Sequence, residues 1–239
     1  MNKNLSIILP AYNEVENIER VANSILEFVP TITQNYEIII VDDGSRDGTG
    51  KLIDKLAKNY NQIVALHHLS NKGYGAALRS GFKAAKAKLI FFTDGDGQFD
   101  IRELAKLMAL IKTADIICGY RIRRADYLFR RINAGLYNLA IRLLFNLSIM
   151  DIDCAFKLFK REVIQSLNLK SSGAFINAEF LVLAKKKGYT IRQVGVSHYP
   201  RKKGEQTGNN VMVVFRAMVE LVKFWDKMRR KTTKRKGKR

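Results

Sequence analysis

The stretch FFTDGDGQFD, residues 91–100, decides how this chain is read. An apolar run, begun by Leu89 and Ile90, ends on Asp94 and Asp96, spaced two apart with Gly95 and Gly97 beside them. Carboxylates that close repel one another, so the arrangement costs stability unless a positive charge sits between them. The run is apolar at successive positions, as in a strand covered on both faces. LSIILP (5–10), EIIIVD (37–42), QIVALHHL (62–69) and DIICGY (115–120) share that pattern with KLIFFTD (88–94). Helical periodicity fills the gaps at 14–29, 48–59, 74–87 and 100–112. Strands alternating with helices of this length predict an α/β fold, a mostly parallel sheet flanked by helices on both faces. In such sheets ligands bind beyond the carboxyl ends of the strands. PAYNE (10–14), DDGSRDGT (42–49) and TDGDGQ (93–98) stand at three such ends, so the fold is expected to gather them in one crevice.

The second half is less regular. Residues 130–150 read as a long apolar helix interrupted by Asn138, Arg142 and Asn146. A central arginine costs roughly 2.5–3.5 kcal/mol on insertion, which argues against a membrane span. DIDCAFKLFKREV (151–163) reads as a turn and strand leading into a helix, and another helix covers 177–187. The strand-like YTIRQVGVSHY (189–199) precedes a basic loop, PRKKGEQTGNN (200–210). A last helix starts near Val211, with Arg216, Glu220, Lys223 and Lys227 on one stripe and Met212, Phe215, Met218, Val219, Val222 and Trp225 on other faces.

With 239 residues, 47% of them hydrophobic, the chain suits one large domain and is not disordered. Cys118 and Cys154 lie in apolar contexts without CxxC spacing, the pattern of a reduced, intracellular protein lacking a zinc site. The opening MNKNLSIILPAYNE has too short an apolar run for a secretory signal. The net charge is +20; residues 226–239, with nine Lys or Arg and one Asp, supply +8, leaving +12 elsewhere. Such a balance seeks polyanions: nucleic acid, anionic lipid head groups or phosphorylated substrates.

Asp94 and Asp96, with the Gln98 amide oxygen, form a hard-oxygen set suited to Mg2+ or Mn2+, the remaining positions falling to water and substrate phosphate. A plain Asp/Gly surface turn uses the same residues. An EF-hand is excluded, because positions six and twelve counted from Asp94 are Phe99 and Ala105. No GxxxxGK[ST] loop occurs, and Leu78 takes the third glycine position of a dinucleotide fingerprint after Gly73 and Gly75. His67 and His68 read as core or rim histidines, and there is no GxSxG elbow.

IILPAYNEVENI, IIIVDDGSRDGTGKLI, NKGYGAALRSGFKAA and DGDGQ, in that order and with ordinary spacing, resemble the family 2 glycosyltransferases of the GT-A fold. DIICGYR, RRINAG, DIDCAFKLFKREV and YPRKKGEQTG are similar to the branch containing dolichol-phosphate mannose synthase and related polyprenyl-phosphate glycosyltransferases. The resemblance covers about residues 5 to 210. It implies a Rossmann-like GT-A catalytic domain over 1–210, with an amphipathic helix and basic tail at 211–239 against a membrane surface.

The resemblance also implies roles. Pro10, Tyr12 and Glu14, with Val41 and Asp43, would hold the base and ribose of a GDP- or UDP-sugar, a task that suits a carboxylate because it only accepts hydrogen bonds. Asp94, Asp96 and Gln98 would bind the Mg2+ or Mn2+ that bridges the donor diphosphate, with Gly95 between them on the donor side. Arg121 and the Arg130/Arg131 pair would hold the acceptor phosphate, whose geometry guanidinium forks match; which of Arg130 and Arg131 touches it stays open. Arg201 and Lys202 would close over the donor diphosphate. Asp96, Arg121 and Asp153 are thus the expected catalytic residues. A phosphate acceptor is already anionic and needs no base, whereas a sugar or protein hydroxyl would need a carboxylate, Asp151 or Asp153, to take its proton. Expected partners are a nucleotide sugar, a polyprenyl phosphate and an anionic membrane surface, at the cytoplasmic face. Nucleic-acid binding is a distant alternative, since it leaves three carboxylate motifs unexplained. Gly95 in place of alanine, GYR in place of GSR, and DCAFKLF in place of a threonine- or serine-bearing segment bear on the sugar more than on the reaction. No QxxRW motif of processive synthases is present.

Overall fold

A computed structural model describes residues 4–122, 128–201, 203–204 and 211–236, the side chains of 128–134, 136, 211–215 and 231–236 excepted. The strands are β1 (Leu5–Ala11), β2 (Tyr36–Asp42), β3 (Ile63–His67), β4 (Leu89–Thr93), β5 (Ile116–Arg121), β6 (Phe156–Lys160) and β7 (Ile191–Val196). The helices are α1 (Ile18–Phe28), α2 (Thr49–Asn59), α3 (Tyr74–Ala84), α4 (Leu104–Leu110), α5 (Leu128–Phe145), α6 (Arg161–Ser166), α7 (Ile176–Lys186) and α8 (Val211–Lys236).

The sheet has seven strands in the order β3-β2-β1-β4-β6-β5-β7. β1 and β2 are buried along their whole length, as continuous apolar runs require. All pairings are parallel except those of β6, which runs antiparallel to both β4 and β5. That reversal sets Phe156 opposite Thr93, so the residues entering β6, Asp151–Ala155, arrive at the end of the sheet where β1, β2, β4 and β5 finish. A core lies on each face. One gathers Phe82, Phe92, Phe159, Phe180 and Leu221; the other gathers Ile18, Phe91, Phe156, Leu104 and Leu107. Edge-on aromatic pairs, such as Phe91–Phe156 at 4.7 Å between centroids, hold β6 to β4.

Several helix boundaries depart from the sequence expectation, α3 ending at Ala84 rather than 87 and α4 spanning Leu104–Leu110 rather than 100–112, and two others have a visible cause. The first helix begins at Ile18 rather than 14, because Asn13 adopts φ 56° and the next amides are claimed from across the crevice. Glu14 N–H donates to Thr49 Oγ1 at 2.8 Å, and Val15 N–H to Asp47 Oδ2 at 3.1 Å. α5 ends at Phe145 instead of 150, with Asn146 at φ 50°, and Arg142 turns back to donate to the carbonyls of Ile149 and Met150. α8 lies against the domain: Ala217 and Leu221 are buried, Phe224 stacks on Phe145 and Phe175, and Glu220 accepts from the Ser171 hydroxyl. Met218 and Val222 face outward. Among the described residues, no helix is long and apolar enough to cross a membrane.

Candidate active site

The turn after β4 sits at the centre of the crevice. Asp94 is half-buried, and its Oδ1 is shielded from solvent with no hydrogen-bond donor. Burial pushes its carboxyl up to about 7 and the Asp96 charge adds to the rise, while the neighbouring Tyr74 hydroxyl, Arg121 and Lys157 oppose it. Asp96 Oδ1 accepts from the Gln98 amide at 3.0 Å, closing the turn. Gly97 is required there: it has φ 71°, and a side chain would collide with the Arg20 guanidinium. Gly95 is tight but not strained, since an added methyl would meet Pro10 O at 3.1 Å and Ile18 Cδ1 at 3.2 Å. Gln98 is buried and anchored, its Nε2 donating to Tyr199 O at 2.9 Å, so only its Oε1 is left to offer a cation. Tyr199 N–H returns a bond to Gln98 O at 2.8 Å, sewing the turn to the segment after β7.

An oxygen with neither solvent nor donor, beside a second carboxylate, fits a hard cation. Among the described residues no cluster of three or more His, Cys, Asp or Glu is placed to hold a metal. The donor set is therefore of the kind that Mg2+ uses, one or two carboxylates completed by water and substrate phosphate.

PAYNE closes one side. Pro10 is buried at the end of β1 and Tyr12 is half-buried beyond it. Glu14 Oε2 accepts from Asn17 Nδ2 at 2.8 Å and from Arg201 Nη2 at 2.6 Å. Burial nonetheless raises the Glu14 pKa, with Asp96 contributing. Arg201 thus reaches the crevice, but its guanidinium rests on Glu14, and its Nε donates to Lys203 O at 2.7 Å. Lys202 lies outside the described residues.

The VDD segment departs from expectation. Val41 is fully buried and its side chain packs in the core beside Ile8 and Ile39, which leaves only its main chain to meet a donor. The Asp43 carboxylate is already held by three donors or ring nitrogens: His68 Nδ1 at 2.6 Å, Lys72 N–H at 2.9 Å and Gly73 N–H at 2.8 Å. His68 in turn contacts Ser80 Oγ at 2.8 Å, which pins the loop before α3.

Arg121, at the end of β5, is not an open fork. Its Nε and Nη2 grip Asp151 at 2.7 and 2.9 Å, both side chains being nearly buried (9% and 4% exposed). An acceptor phosphate therefore cannot take that edge of the guanidinium while Asp151 holds it. Asp153 lies half-buried two residues on, and its charge, like that of Asp94, acts on the Tyr74 hydroxyl. Arg130 and Arg131 fall in the first turn of α5, and their side chains lie outside the described residues.

Asn17, Arg20, Tyr74, Lys157 and Tyr199 were not singled out by sequence, and His68 was read there only as a core or rim histidine. A lysine in the apolar strand FKLF was the one local signal available.

The sequence model described as glycosyl transferase family 2 matches residues 6–167. This chain belongs to glycosyl transferase family 2. As a family 2 glycosyltransferase it is similar to glycosyltransferase AglD of Haloferax volcanii, 32% identical over 209 residues, covering 82% of this chain and 33% of that protein. It is likewise similar to the undecaprenyl-phosphate 4-deoxy-4-formamido-L-arabinose transferase of Aeromonas hydrophila, 29% identical over 225 residues, covering 92% of this chain and 67% of that protein. The chain thus spans a third of the archaeal relative and about two thirds of the bacterial one. Its GT-A fold is shared with glucosyl-3-phosphoglycerate synthase of Mycobacterium tuberculosis, solved with Mn2+, uridine diphosphate and phosphoglyceric acid: TM-score 0.68, 20% identity, 93% of this chain and 78% of that one. Staphylococcus aureus TarS, solved with UDP-GlcNAc, matches with TM-score 0.59 and 18% identity, over 87% of this chain and 61% of that one.

Proposed function

We propose that this glycosyltransferase moves a sugar from a nucleoside-diphosphate sugar to a polyprenyl phosphate, with inversion, using Mg2+ or Mn2+ held by Asp94 and Asp96. The observation that carries the reading is the Asp94–Asp96 pair at the end of β4, with Asp94 Oδ1 shielded and lacking a donor. The names of the bacterial relatives, undecaprenyl-phosphate sugar transferases, support the acceptor. A divalent cation held by Asp94 and Asp96 would neutralise charge developing on the departing nucleoside diphosphate.

The chain's own residues supply the rest. Tyr12 and Glu14 bound the nucleoside side of the crevice, and Asp43 keeps the loop before α3 in place while retaining one lone-pair direction for the donor. Arg201 leaves Glu14 for the diphosphate when the donor enters. A phosphate monoester, with its second pKa near about 6, is already an anion at neutral pH and attacks the anomeric carbon without a base. Arg121, braced by Asp151, and Arg130 or Arg131 hold that phosphate in line with the departing group. Asp153 then positions rather than deprotonates.

The membrane assignment belongs to this reading. Leu139, Leu143 and Leu144 of α5 and Met218 and Val222 of α8 are exposed, and the sequence turns basic from 226 to 239. Such a surface suits an anionic cytoplasmic leaflet, where each Lys or Arg adds about 1 kcal/mol. Residues 1–210 carry the catalytic machinery; 211–239 serve both the core, through Ala217 and Leu221, and the leaflet.

A second reading, transfer to a sugar or protein hydroxyl, has one observation in its favour: Asp151 is committed to Arg121, which leaves Asp153 as the base. Asp153→Asn separates the two. Measurable transfer of labelled sugar to a short polyprenyl phosphate by this variant supports the phosphate acceptor. Abolished transfer, with wild-type label appearing on hydroxyl acceptors alone, contradicts it.

A further inference from the structure

Lys157 is the most unusual charge in the molecule. It occupies the second position of β6, paired in register with Phe92 and Cys118 at the centre of the sheet, and it is fully buried. Its Nζ lies 5.3 Å from the centroid of the Phe92 ring. Among the described residues no carboxylate pairs with it. It donates instead to Ile152 O at 3.0 Å, to Cys154 O, and to Asn177 Oδ1 on α7 at 3.1 Å. An ammonium taken out of water without a counter-ion costs several kcal/mol, and an apolar side chain of similar volume would pack at lower cost. Stability is therefore no explanation for a lysine here.

Its bonds supply one. The two carbonyls it binds flank Asp153. The turn Asp151–Cys154 is thereby held at two points by cations, Arg121 on the Asp151 side chain and Lys157 on the main chain around Asp153. Asn177, the third acceptor, stands on α7. A single ammonium thus ties the turn before β6 to α7. Its charge also acts on Asp94 against the effect of burial.

We propose that Lys157 is a positioning residue for sugar transfer: by gripping the carbonyls on either side of Asp153, it fixes that carboxylate and the neighbouring Arg121–Asp151 pair relative to Asp94. The link to transfer rests on the function proposed above; the grip on the turn does not. A misplacement of about 1 Å can cost on the order of 100-fold in rate, so a fixed main chain at this point matters more to kcat than to donor binding.

The test is Lys157→Met, which keeps length and removes charge, read two ways. Hydrogen exchange of the amides from 151 to 155 should speed up by at least about tenfold, while β1 and β2 stay protected. In steady-state transfer, kcat should fall on the order of 100-fold with donor KM changed less than about threefold. A protein that melts lower but keeps wild-type kcat per folded molecule, or unchanged exchange at 151–155, overturns the proposal. Should Lys157→Met not fold, Asn177→Ala removes one acceptor and leaves the ammonium on its two carbonyls. It should show the same split in smaller measure, a loss in kcat without a loss in donor KM, and an unchanged kcat overturns the proposal. If wild type transfers to no polyprenyl phosphate, the function above fails, and the exchange measurement still decides whether Lys157 holds the turn.

Discussion

Replacing Asp151 by alanine leaves the Arg121 guanidinium buried without the carboxylate that it grips through Nε at 2.7 Å and Nη2 at 2.9 Å. The pair is nearly sealed from solvent, at 9% and 4% exposure, so screening does not soften the loss. Breaking a buried pair from one side costs about 3–5 kcal/mol. For a domain of this size that lowers Tm by about 6–20 °C. Calorimetric melting of Asp151→Ala measures the loss directly. Adding Arg121→Met to it removes the orphaned cation and should recover most of the stability, since apolar replacement of both partners is often neutral or better. Transfer by the double variant should stay low, because Arg121 is also the residue proposed to meet the acceptor phosphate. An Asp151→Ala protein that melts within about 2 °C of wild type would refute the reasoning, for it would mean that the pair is solvated or not formed.

Gly97→Ala forces a side chain onto φ 71° and into Arg20, and should abolish transfer and lower stability by about 1–3 kcal/mol; Gly95→Ala, whose methyl meets neighbours at 3.1–3.2 Å, should stay within about 1 kcal/mol by denaturant unfolding. Asp115, whose carboxyl is held down to about 2 by Lys160 and Thr190, contributes stability that is fully present above its ordinary value of 3.8 and lost as pH falls toward about 2. Asp115→Asn should therefore flatten the fall in stability between about pH 4 and 2, by no more than about 1 kcal/mol because Lys160 is 38% exposed. Glu14→Ala releases Arg201 and Asn17 from their shared oxygen, and should raise amide exchange at 199–204 and increase donor KM by about tenfold.

Much of this was legible in the residues. Five strands announce themselves as unbroken apolar runs, and PAYNE and DGDGQ stand at strand ends because polar groups gather where buried strands stop. What was not legible depends on partners far along the chain. The helix expected from residue 14 starts at Ile18, since Thr49 and Asp47, over 30 residues away, take the amides of Glu14 and Val15. FKLF shows a strand but not its direction, and only the antiparallel placement of β6 brings Asp153 to the crevice. Val41 was expected to help hold the donor; in a strand covered on both faces, alternation does not say which side chain points where, and its side chain lies in the core. Arg121 looked like a bare phosphate ligand because its partner Asp151 is 30 residues downstream.

The most direct test of the account is transfer of label from a panel of GDP- and UDP-sugars to a short polyprenyl phosphate, with Mg2+ or Mn2+ and with chelator, wild type beside Asp96→Asn. The account predicts lipid-linked product from one donor, abolished by chelator and reduced at least about 100-fold in the variant. Product formed equally well with chelator, or by Asp96→Asn at the wild-type rate, would contradict it.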